Sequence, residues 1–442
     1  MFFNSLLKDE EGQLQKGFVK MQKTFSEKEE EMERGQKRCV QHVVLLIAAF
    51  FALGLMASPA DAQKKQPIRI GVVSPVSGNF ADHGLLERIG MEMALEDYNN
   101  EVLGRPITLI VADDETNPDV AARRARRLVE VDGVKFLMGG VSTSTALSVG
   151  AVAEEKKVLF IATNQNGDQV TGESARHYVF RTPPDMAILV RAGAKYTADN
   201  LGKKWFFLTH DYSWGHSGTK WARNMLGKVG AKEVGEIKVP MGNRDFSSQL
   251  LTIRNSDADV LVITVAGFDN VSLLKQMNEY KIYDKMKVWY TLMDVVDLFA
   301  VPAEDRQAYV CAETYYRASP EMEKLNERYQ KKYPRAASPV LDTGTYNGWL
   351  SMKMLLEAIK RAKTADNVEK VVCAMEGLTI KDNARKSPSY VRPWDHQVLT
   401  EVVFGKVNPV QGNDIIDVKA YVPAEQVART KEENPVNVGC KK

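Results

Sequence analysis

The chain has 442 residues, of which 44% are hydrophobic, 8% aromatic and 26% charged. This composition is typical of a globular protein, and the length is sufficient for two or three domains. The formal net charge of +2 is too balanced to indicate a nucleic acid or an anionic membrane surface as a partner.

The N-terminal region has the pattern of a secretory signal peptide. The basic pair Lys37-Arg38 precedes a short apolar run, and Ala60-Asp61-Ala62 offers an A-x-A cleavage site. We therefore assign residues 32–62 to a signal peptide cleaved after about Ala62, which predicts a periplasmic protein; an uncleaved anchor helix is the alternative. Residues 1–31 form a charged extension that is unusual ahead of a signal peptide, so the translation start stays open.

The four cysteines predict little. Cys39 lies in the signal peptide, and Cys311, Cys373 and Cys440 remain, an odd number that leaves at least one unpaired within the mature chain. Their pairing stays open. None has CxxC or zinc-ligand spacing, so metal binding by thiolates is not expected, and no cofactor is expected either.

From Pro67 onward, short β-branched runs alternate with amphipathic segments. Strands are predicted at Ile68–Pro75 and Ile107–Asp114, and each is followed by a helix. The second helix begins at Asn117-Pro118, with the asparagine as its cap and the proline at its first position. The runs KFLMGG and VLFIAT add two more strands, on either side of residues 139–150.

The same alternation then starts again. A strand at Trp205–Asp211 precedes a helix from about Gly215 to Gly227, and a further strand follows at Ala258–Gly267. Two α/β units in tandem predict two Rossmann-like lobes, each with an open parallel sheet covered on both faces. The charged residues after about Thr430 are expected to form a loose tail.

The stretch GGVSTSTALSVG (Gly139–Gly150) has the appearance of a phosphate-binding loop, but it lacks both GxxxxGK[ST] and GxGxxG. It does place hydroxyl groups (Ser142, Thr143, Ser144) between a strand and a predicted helix. A helix N-terminus attracts anions through its exposed N–H groups and its dipole. The stretch therefore predicts a site for one carboxylate, with a plain helix cap as the alternative.

Aromatic and imidazole side chains follow the predicted strands of both lobes, namely Phe80, His83, Trp214 and Phe268. In open α/β sheets, ligands bind outside the carboxyl ends of the strands. These four side chains are therefore expected to line one cleft between the lobes, with ordinary loop packing as the alternative for each.

Signals for catalysis are weak. GHSGT (Gly215–Thr219) is similar to the G-x-S-x-G nucleophile motif, but it lacks the final glycine and opens a helix. A hydrolase that uses Ser217 is kept as an alternative hypothesis, although no carboxylate pair or histidine cluster suggests a reaction. The acidic run Asp113-Asp114-Glu115 is expected to be solvated rather than to bind a metal.

Several stretches together resemble the leucine/isoleucine/valine-binding type of periplasmic solute-binding protein that serves ABC importers. The resemblance covers about Ile68 to Tyr421 and rests on IRIGVVSPVSGNFADHG, GGVSTSTALSV, HDYSWGHSG, RDFSSQLLTIRNSDADVLVI and RPWDHQ. It implies a non-catalytic, monomeric protein whose two lobes close on a hinge around a small molecule and then dock on a membrane permease. A sensory role with a membrane receptor is a further alternative.

The resemblance also implies lobe boundaries. Lobe 1 would comprise residues 67–184 and 318–376, and lobe 2 residues 185–317 and 377–430, with a loose tail at 431–442. The crossovers would fall near Pro183–Asp185, Tyr315–Ala318 and Glu376–Thr379.

The resemblance further implies site residues. The carboxylate-binding hydroxyl falls at Thr143 or Ser144, and a second contact loop falls at Gln165-Asn166. The aromatic positions of the second lobe match Trp214 and Phe268, and His83 stands about where the amino-acid binders have an aromatic residue.

One departure bears on the ligand. Amino-acid binders of this type have an acid after the KVWY-type strand that holds the ligand's ammonium group. An ungapped match puts Met293 at that position and Asp294 one residue later. If Asp294 fills the role, an α-amino acid is expected; if it points away, the ligand is an aromatic or aliphatic acid without an amine.

Overall fold

The computed structural model describes residues 66–441 and scattered helical positions between residues 17 and 34. The chain divides into two compact units, Met1–Lys64 and Lys65–Lys442, and the second holds the fold described below. The predicted signal peptide and most of the charged extension lie outside the described residues. Within the described part, no helix combines the length and the apolar character needed to span a membrane.

Residues 66–441 alternate strands and helices as the sequence predicts. The strands are β1 (Ile68–Ser74), β2 (Glu101–Val102), β3 (Arg105–Asp113), β4 (Phe136–Gly139), β5 (Leu159–Ala162), β6 (Val179–Arg181), β7 (Lys204–His210), β8 (Lys232–Val239), β9 (Val260–Thr264), β10 (Lys287–Tyr290), β11 (Tyr309–Ala312), β12 (Thr379–Ile380), β13 (Ser389–Val391), β14 (Val398–Leu399), β15 (Val402–Val407) and β16 (Ile416–Val422). The helices are α1 (Ala81–Asp97), α2 (Pro118–Glu130), α3 (Thr143–Lys156), α4 (Met186–Asn200), α5 (Ser213–Val229), α6 (Ser247–Asn255), α7 (Phe268–Glu279), α8 (Ile282–Lys285), α9 (Val295–Phe299), α10 (Pro320–Lys332), α11 (Thr343–Ala362), α12 (Val368–Met375) and α13 (Ala424–Val427), with a 3-10 turn at Ala303–Asp305.

Two sheets form the two lobes. The first has the order β2-β3-β1-β4-β5-β6 and the second the order β16-β15-β11-β10-β9-β7-β8. From β3 to β6, and from β11 to β8, neighbouring strands pair in parallel. The antiparallel pairs lie at one edge of each sheet. The central strands β1 and β9 are almost fully buried, as expected for parallel strands covered by helices on both faces.

Local sequence sets the helix starts. Asn117 accepts hydrogen bonds from the backbone N–H groups of Asp119 and Val120, and Pro118 occupies the first turn of α2. Two glycines allow α1 and α11 to pack closely across lobe 1. A Cβ at Gly90 would meet the carbonyl oxygen of Thr345, and a Cβ at Gly348 would meet that of Glu87. This close contact fixes α11 against α1 in lobe 1.

The chain passes between the lobes at three places. Residues 183–185 connect β6 of the first sheet to α4, whose apolar residues pack in lobe 2, and residues 315–318 connect β11 to α10, which packs in lobe 1. The third crossover differs from the prediction at Glu376–Thr379. Ile380, Val391 and Val398 still belong to the lobe 1 core, and only Leu399 and Val402 join lobe 2. The short strands β12–β14 form a sheet of their own, so the crossover lies about twenty residues later in the chain than predicted.

The prediction of a loose C-terminal tail is wrong. A disulfide joins Cys440 to Cys373 of α12, and the backbone N–H of Val438 donates to the carbonyl of Trp394 at 3.0 Å. The side chain of Asn434 is buried and donates to the carbonyl of Thr171. The charged residues 431–433 that suggested a loose segment directly precede Asn434, which is tied to lobe 1. Cys311 is a buried free thiol.

Candidate functional site

The carboxyl ends of the strands of both lobes face one another. The loops after β1, β4 and β5 come from lobe 1, and those after β7, β9, β10 and β11 come from lobe 2. The two lobes are in contact here: the backbone N–H of Phe268 donates to the carbonyl of Asn79 at 3.3 Å, and the hydroxyls of Ser144 and Ser213 are 3.2 Å apart. The predicted site residues therefore gather around one interlobe cleft.

The N-terminus of α3 is the first component of this cleft. Gly139 and Gly140 both have positive φ values, +104° and +91°, which turn the chain sharply from β4 into the helix. Ser142 is the N-cap, yet its hydroxyl makes no capping hydrogen bond and is buried without any hydrogen-bond partner. An unsatisfied buried hydroxyl beside free helix N–H groups is suited to an anion.

The neighbouring hydroxyls are already engaged. Thr143 Oγ1 accepts from the backbone N–H of Gly167 at 3.1 Å, and Ser144 pairs with Ser213 across the cleft. Gln165 Nε2 donates to the carbonyl of Gly139 at 2.8 Å, so its side chain braces the turn before α3. Among the predicted hydroxyl donors, Ser142 is thus the one best suited to bind an anionic ligand.

A cluster of carboxyl groups around His83 is the second component. His83 Nε2 is 3.4 Å from Asp294 Oδ2 and 3.6 Å from Asp297 Oδ1. These are ion-pair distances, and the nitrogen has no hydrogen bond of regular geometry. Asp342 completes the cluster and accepts from the backbone N–H of Val296 at 3.1 Å. His83 and Asp342 belong to lobe 1, whereas Asp294 and Asp297 belong to lobe 2, so the cluster bridges the lobes.

Burial and charge perturb the pKa values of this cluster. Burial lowers the pKa of His83, but Asp294, Asp297 and Asp342 outweigh that effect and raise it to about 9. Burial raises the pKa of Asp297 to about 6. Burial and the charge of Asp294 raise the pKa of Asp342 to about 7. Three carboxyl groups surround one imidazolium, which makes this end of the cleft attractive to a further positive charge.

The two residues that compete for the ammonium position have different surroundings. Met293 is buried in the apolar core of lobe 2, where its sulfur contacts the Asn270 amide at 3.1 Å. Asp294 faces His83, its side chain is 12% exposed, and its Oδ1 is buried without a hydrogen-bond partner. Of the two, Asp294 presents its polar atoms toward the cleft.

A second acid was missed by sequence reasoning. Glu313 follows β11 and is fully buried. Its two oxygens accept hydrogen bonds from Asn166 Nδ2 at 2.5 Å and from Asn347 Nδ2 at 2.6 Å. Burial and the nearby charge of Asp294 raise the pKa of Glu313 to about 8. Glu313 thus ties the predicted contact residue Asn166 to lobe 2. The place of Glu313 at the end of a strand is the sequence signal that could have identified it.

The aromatic residues differ in their exposure. Phe80 is buried and contacts the His83 ring edge-on, with centroids 5.6 Å apart. Trp214 is also buried and stacks on Tyr212. Phe268 is 36% exposed and lies under the Arg244 guanidinium. Phe80 and Trp214 therefore belong to the interior, whereas Phe268 lies at the rim.

Ser217 lies in an interlobe contact. Its hydroxyl donates to the Asp168 carboxylate and accepts from the Asp168 backbone N–H at 3.0 Å. The neighbouring His216 is exposed and pairs with Asp211 at 2.7 Å. These contacts connect α5 to the loop after β5 in lobe 1, which is a structural role for the serine.

The sequence itself decides the family. Residues 67–414 match the sequence pattern of the family described as periplasmic binding protein. The chain belongs to the periplasmic binding protein family. It is therefore a solute-binding protein of the kind that serves ABC transporters outside the cytoplasm, and this class of proteins is not enzymatic. The family resemblance and the two-lobed α/β fold predicted from the sequence are confirmed.

Individual relatives agree with this assignment. Leu/Ile/Val-binding protein homolog 7 of Brucella suis biovar 1 (strain 1330) is 28% identical over 348 residues, which cover 74% of this chain and 84% of that protein. A periplasmic binding protein from Burkholderia mallei has 28% identity and a TM-score of 0.78 over 84% of this chain and 98% of its own. A solute-binding protein from Rhodopseudomonas palustris BisB5, solved with 3,4-dihydroxybenzoic acid, has 22% identity and a TM-score of 0.74 over 81% and 98%.

Proposed function

We propose that this periplasmic binding protein captures a branched-chain or related α-amino acid and delivers it to the permease of an ABC importer. The carboxylate would bind at the N-terminus of α3, where the Ser142 hydroxyl and the first backbone N–H groups of the helix provide donors. The ammonium group would bind Asp294. The aliphatic portion would lie against Phe80 and Trp214.

The observation that carries the proposal is the acidic end of the cleft. Asp294, Asp297 and Asp342 face a single histidine, and Asp294 Oδ1 is buried without a hydrogen-bond partner. A ligand with only a carboxylate would add negative charge to a cleft that already has an excess of acid. An α-amino acid instead supplies an ammonium group for the acidic end and a carboxylate for α3.

An amine-free carboxylic acid is the second candidate. It is favoured by the similar fold of the Rhodopseudomonas palustris protein solved with 3,4-dihydroxybenzoic acid and by the buried aromatic side chains Phe80 and Trp214. In that case the positive charge of His83 would have to compensate the carboxylate of the ligand as well as the acidic side chains around it. Relatives named for leucine, isoleucine and valine favour the amino acid.

The two candidates are separated by ligand pairs that differ only in the amine. We would titrate the purified protein calorimetrically with leucine and 4-methylpentanoate, with phenylalanine and 3-phenylpropanoate, and with 3,4-dihydroxybenzoate. The proposal predicts binding of the amino acid of a pair and much weaker binding of its amine-free counterpart. Tight binding of the amine-free acids alone would refute it.

Asp294→Asn tests the assigned residue. Loss of a hydrogen bond to a charged group costs ~1.5–3 kcal/mol, so the dissociation constant of the amino acid should rise about 10- to 150-fold. The amine-free acids should bind no worse. Asp257→Asn is the matched control, because Asp257 is 70% exposed and pairs only loosely with Lys204 at 3.7 Å. Equal affinities for the wild type and Asp294→Asn would exclude this residue as the ammonium partner.

A further inference from the structure

A cluster of potential metal ligands lies outside the cleft, where the C-terminal tail meets lobe 1. His177 Nε2, a Glu369 carboxylate oxygen and Cys440 Sγ are all within 4.8 Å of one another. Cys440 is joined to Cys373 by the disulfide, so a second sulfur lies at the same place. Cys373 and Glu369 are four residues apart on α12, which puts them on one face of the helix.

Neighbouring groups hold the ligands in orientations suited to a metal. His177 Nδ1 is 2.7 Å from the carbonyl oxygen of Val438. A carbonyl can only accept, so Nδ1 carries a proton and Nε2 is the nitrogen directed at Glu369, 3.0 Å away. The Tyr178 hydroxyl donates to the other Glu369 oxygen at 2.9 Å. Such a backbone carbonyl on the distal imidazole nitrogen, with a hydrogen-bonded carboxylate, is the usual outer shell of metal-bound histidine and glutamate.

We propose that reduction of the Cys373–Cys440 disulfide converts this cluster into a zinc(II) site with Cys373, Cys440, His177 and Glu369 as its four ligands. Two thiolates, one imidazole and one carboxylate form a tetrahedral donor set that zinc accepts. The sulfurs must separate from their bonded distance to roughly 3.8 Å for zinc–sulfur bonds of about 2.3 Å.

The chemistry balances with an external dithiol as the reductant. The disulfide accepts two electrons and two protons and becomes two thiols, while the dithiol becomes a disulfide. Zinc binding then releases the two thiol protons to solvent and leaves two metal-bound thiolates. The ligands are accessible to both reagents, since Glu369 is 53% and His177 23% exposed.

We expect the C-terminal tail to stay close to α12 after reduction, because hydrogen bonds other than the disulfide also hold it there. Val438 remains bonded to Trp394, and the backbone N–H of Cys440 donates to Glu376 Oε1 at 2.6 Å. Asn434 remains bonded to Thr171. Zinc and the disulfide would thus be alternative cross-links between the tail and α12, selected by the redox conditions.

The experiment uses cobalt(II) as a spectroscopic probe and zinc(II) as its competitor. The purified protein is titrated anaerobically before and after treatment with a dithiol that is then removed. The proposal predicts one tetrahedral cobalt per reduced chain, with intense visible bands and a thiolate-to-cobalt charge-transfer band that zinc abolishes. The oxidised protein should show neither. The same spectrum in the oxidised protein, or weak octahedral bands after reduction, would overturn the proposal.

Two variants identify the ligands. Cys440→Ser and His177→Gln should each weaken cobalt binding by more than ~10- to 100-fold, the range already seen when only outer-shell partners are lost. His177→Gln keeps both cysteines, so its effect on cobalt binding by the reduced protein cannot come from loss of a sulfur ligand. His216→Gln is the matched control, because this exposed histidine lies on α5 of lobe 2 and pairs with Asp211 of the preceding loop. Unchanged cobalt binding in His177→Gln would refute the assignment.

Discussion

The contact between Asp168 and α5 joins the two lobes through protein groups alone, and it offers a test of hinge closure. Asp168 lies on the loop after β5 in lobe 1, and its side chain is 5% exposed. It accepts from the Ser217 hydroxyl and from Lys220 Nζ, the latter at 2.8 Å. Both partners belong to lobe 2, so this carboxylate should stabilise the state in which the lobes are in contact.

Asp168→Asn keeps the shape of the side chain and removes its charge. A hydrogen bond to a charged group contributes ~1.5–3 kcal/mol and a neutral one ~0.5–1.5, so the Ser217 contact should lose about 1 kcal/mol. Lys220 is 49% exposed, and such a pair contributes only ~0–1 kcal/mol. The total of about 1–2 kcal/mol should raise the dissociation constant of any ligand about 5- to 30-fold, because a ligand enclosed by both lobes is held only in the closed state.

Calorimetric titration gives the affinity, and small-angle X-ray scattering gives the degree of closure. We expect Asp168→Asn to weaken all ligands by the same factor, unlike Asp294→Asn, and to enlarge the radius of gyration at subsaturating ligand. Asp199→Asn is the control, since it removes an exposed pair with Lys195 inside one helix. An affinity within twofold of the wild type, with unchanged scattering, would refute the role of Asp168 in closure.

Two further predictions concern the cleft itself. Ser142→Ala should weaken binding of the carboxylate ligand at least tenfold in calorimetric titration, because a lost hydrogen bond to a charged group costs ~1.5–3 kcal/mol. The control Ser248→Ala, at an exposed position, should leave the affinity unchanged. Equal affinities of the wild type and Ser142→Ala would exclude Ser142 from the site. The His83 pKa of about 9 lies above its ordinary value, so the stabilisation from its ion pairs is fully present below about pH 6.5 and lost as the pH rises through 9. The melting temperature of the wild type should therefore fall more steeply than that of His83→Gln between pH 7.5 and 10, and parallel curves would contradict this.

The periodicity of the sequence was sufficient to predict both sheets. Runs such as Ile68–Pro75 and Ala258–Gly267 combine β-branched composition with a length that favours a buried strand over a helix. The third crossover was misplaced because it was carried over from the family resemblance. The strands β12 and β14 have two residues each, too few to show a period that would have corrected it. Their assignment to lobe 1 depends on side chains such as Val398 packing in that core, which no local pattern reveals.

His83 was proposed from its place in the loop after a predicted strand, and Asp294 from the family resemblance. Neither signal indicated that the two side chains lie close together across the cleft. Asn347 lies inside α11, where a polar residue ordinarily faces solvent, and only the folded chain brings it to Glu313. The pairing of Cys373 with Cys440 likewise spans 67 residues, and spacing alone does not select it from the alternatives.

The contacts between the lobes are of a kind that would permit the protein to open. The four apolar clusters of the described residues lie almost wholly within one lobe or the other. The contacts across the cleft are polar: Asp168 with Ser217, His83 with Asp294, and Asp342 with the backbone of Val296. Each of these groups can exchange its partner for water when the lobes separate, so opening exposes little apolar surface. We therefore expect a ligand that adds a few charge-assisted hydrogen bonds across the cleft to favour closure.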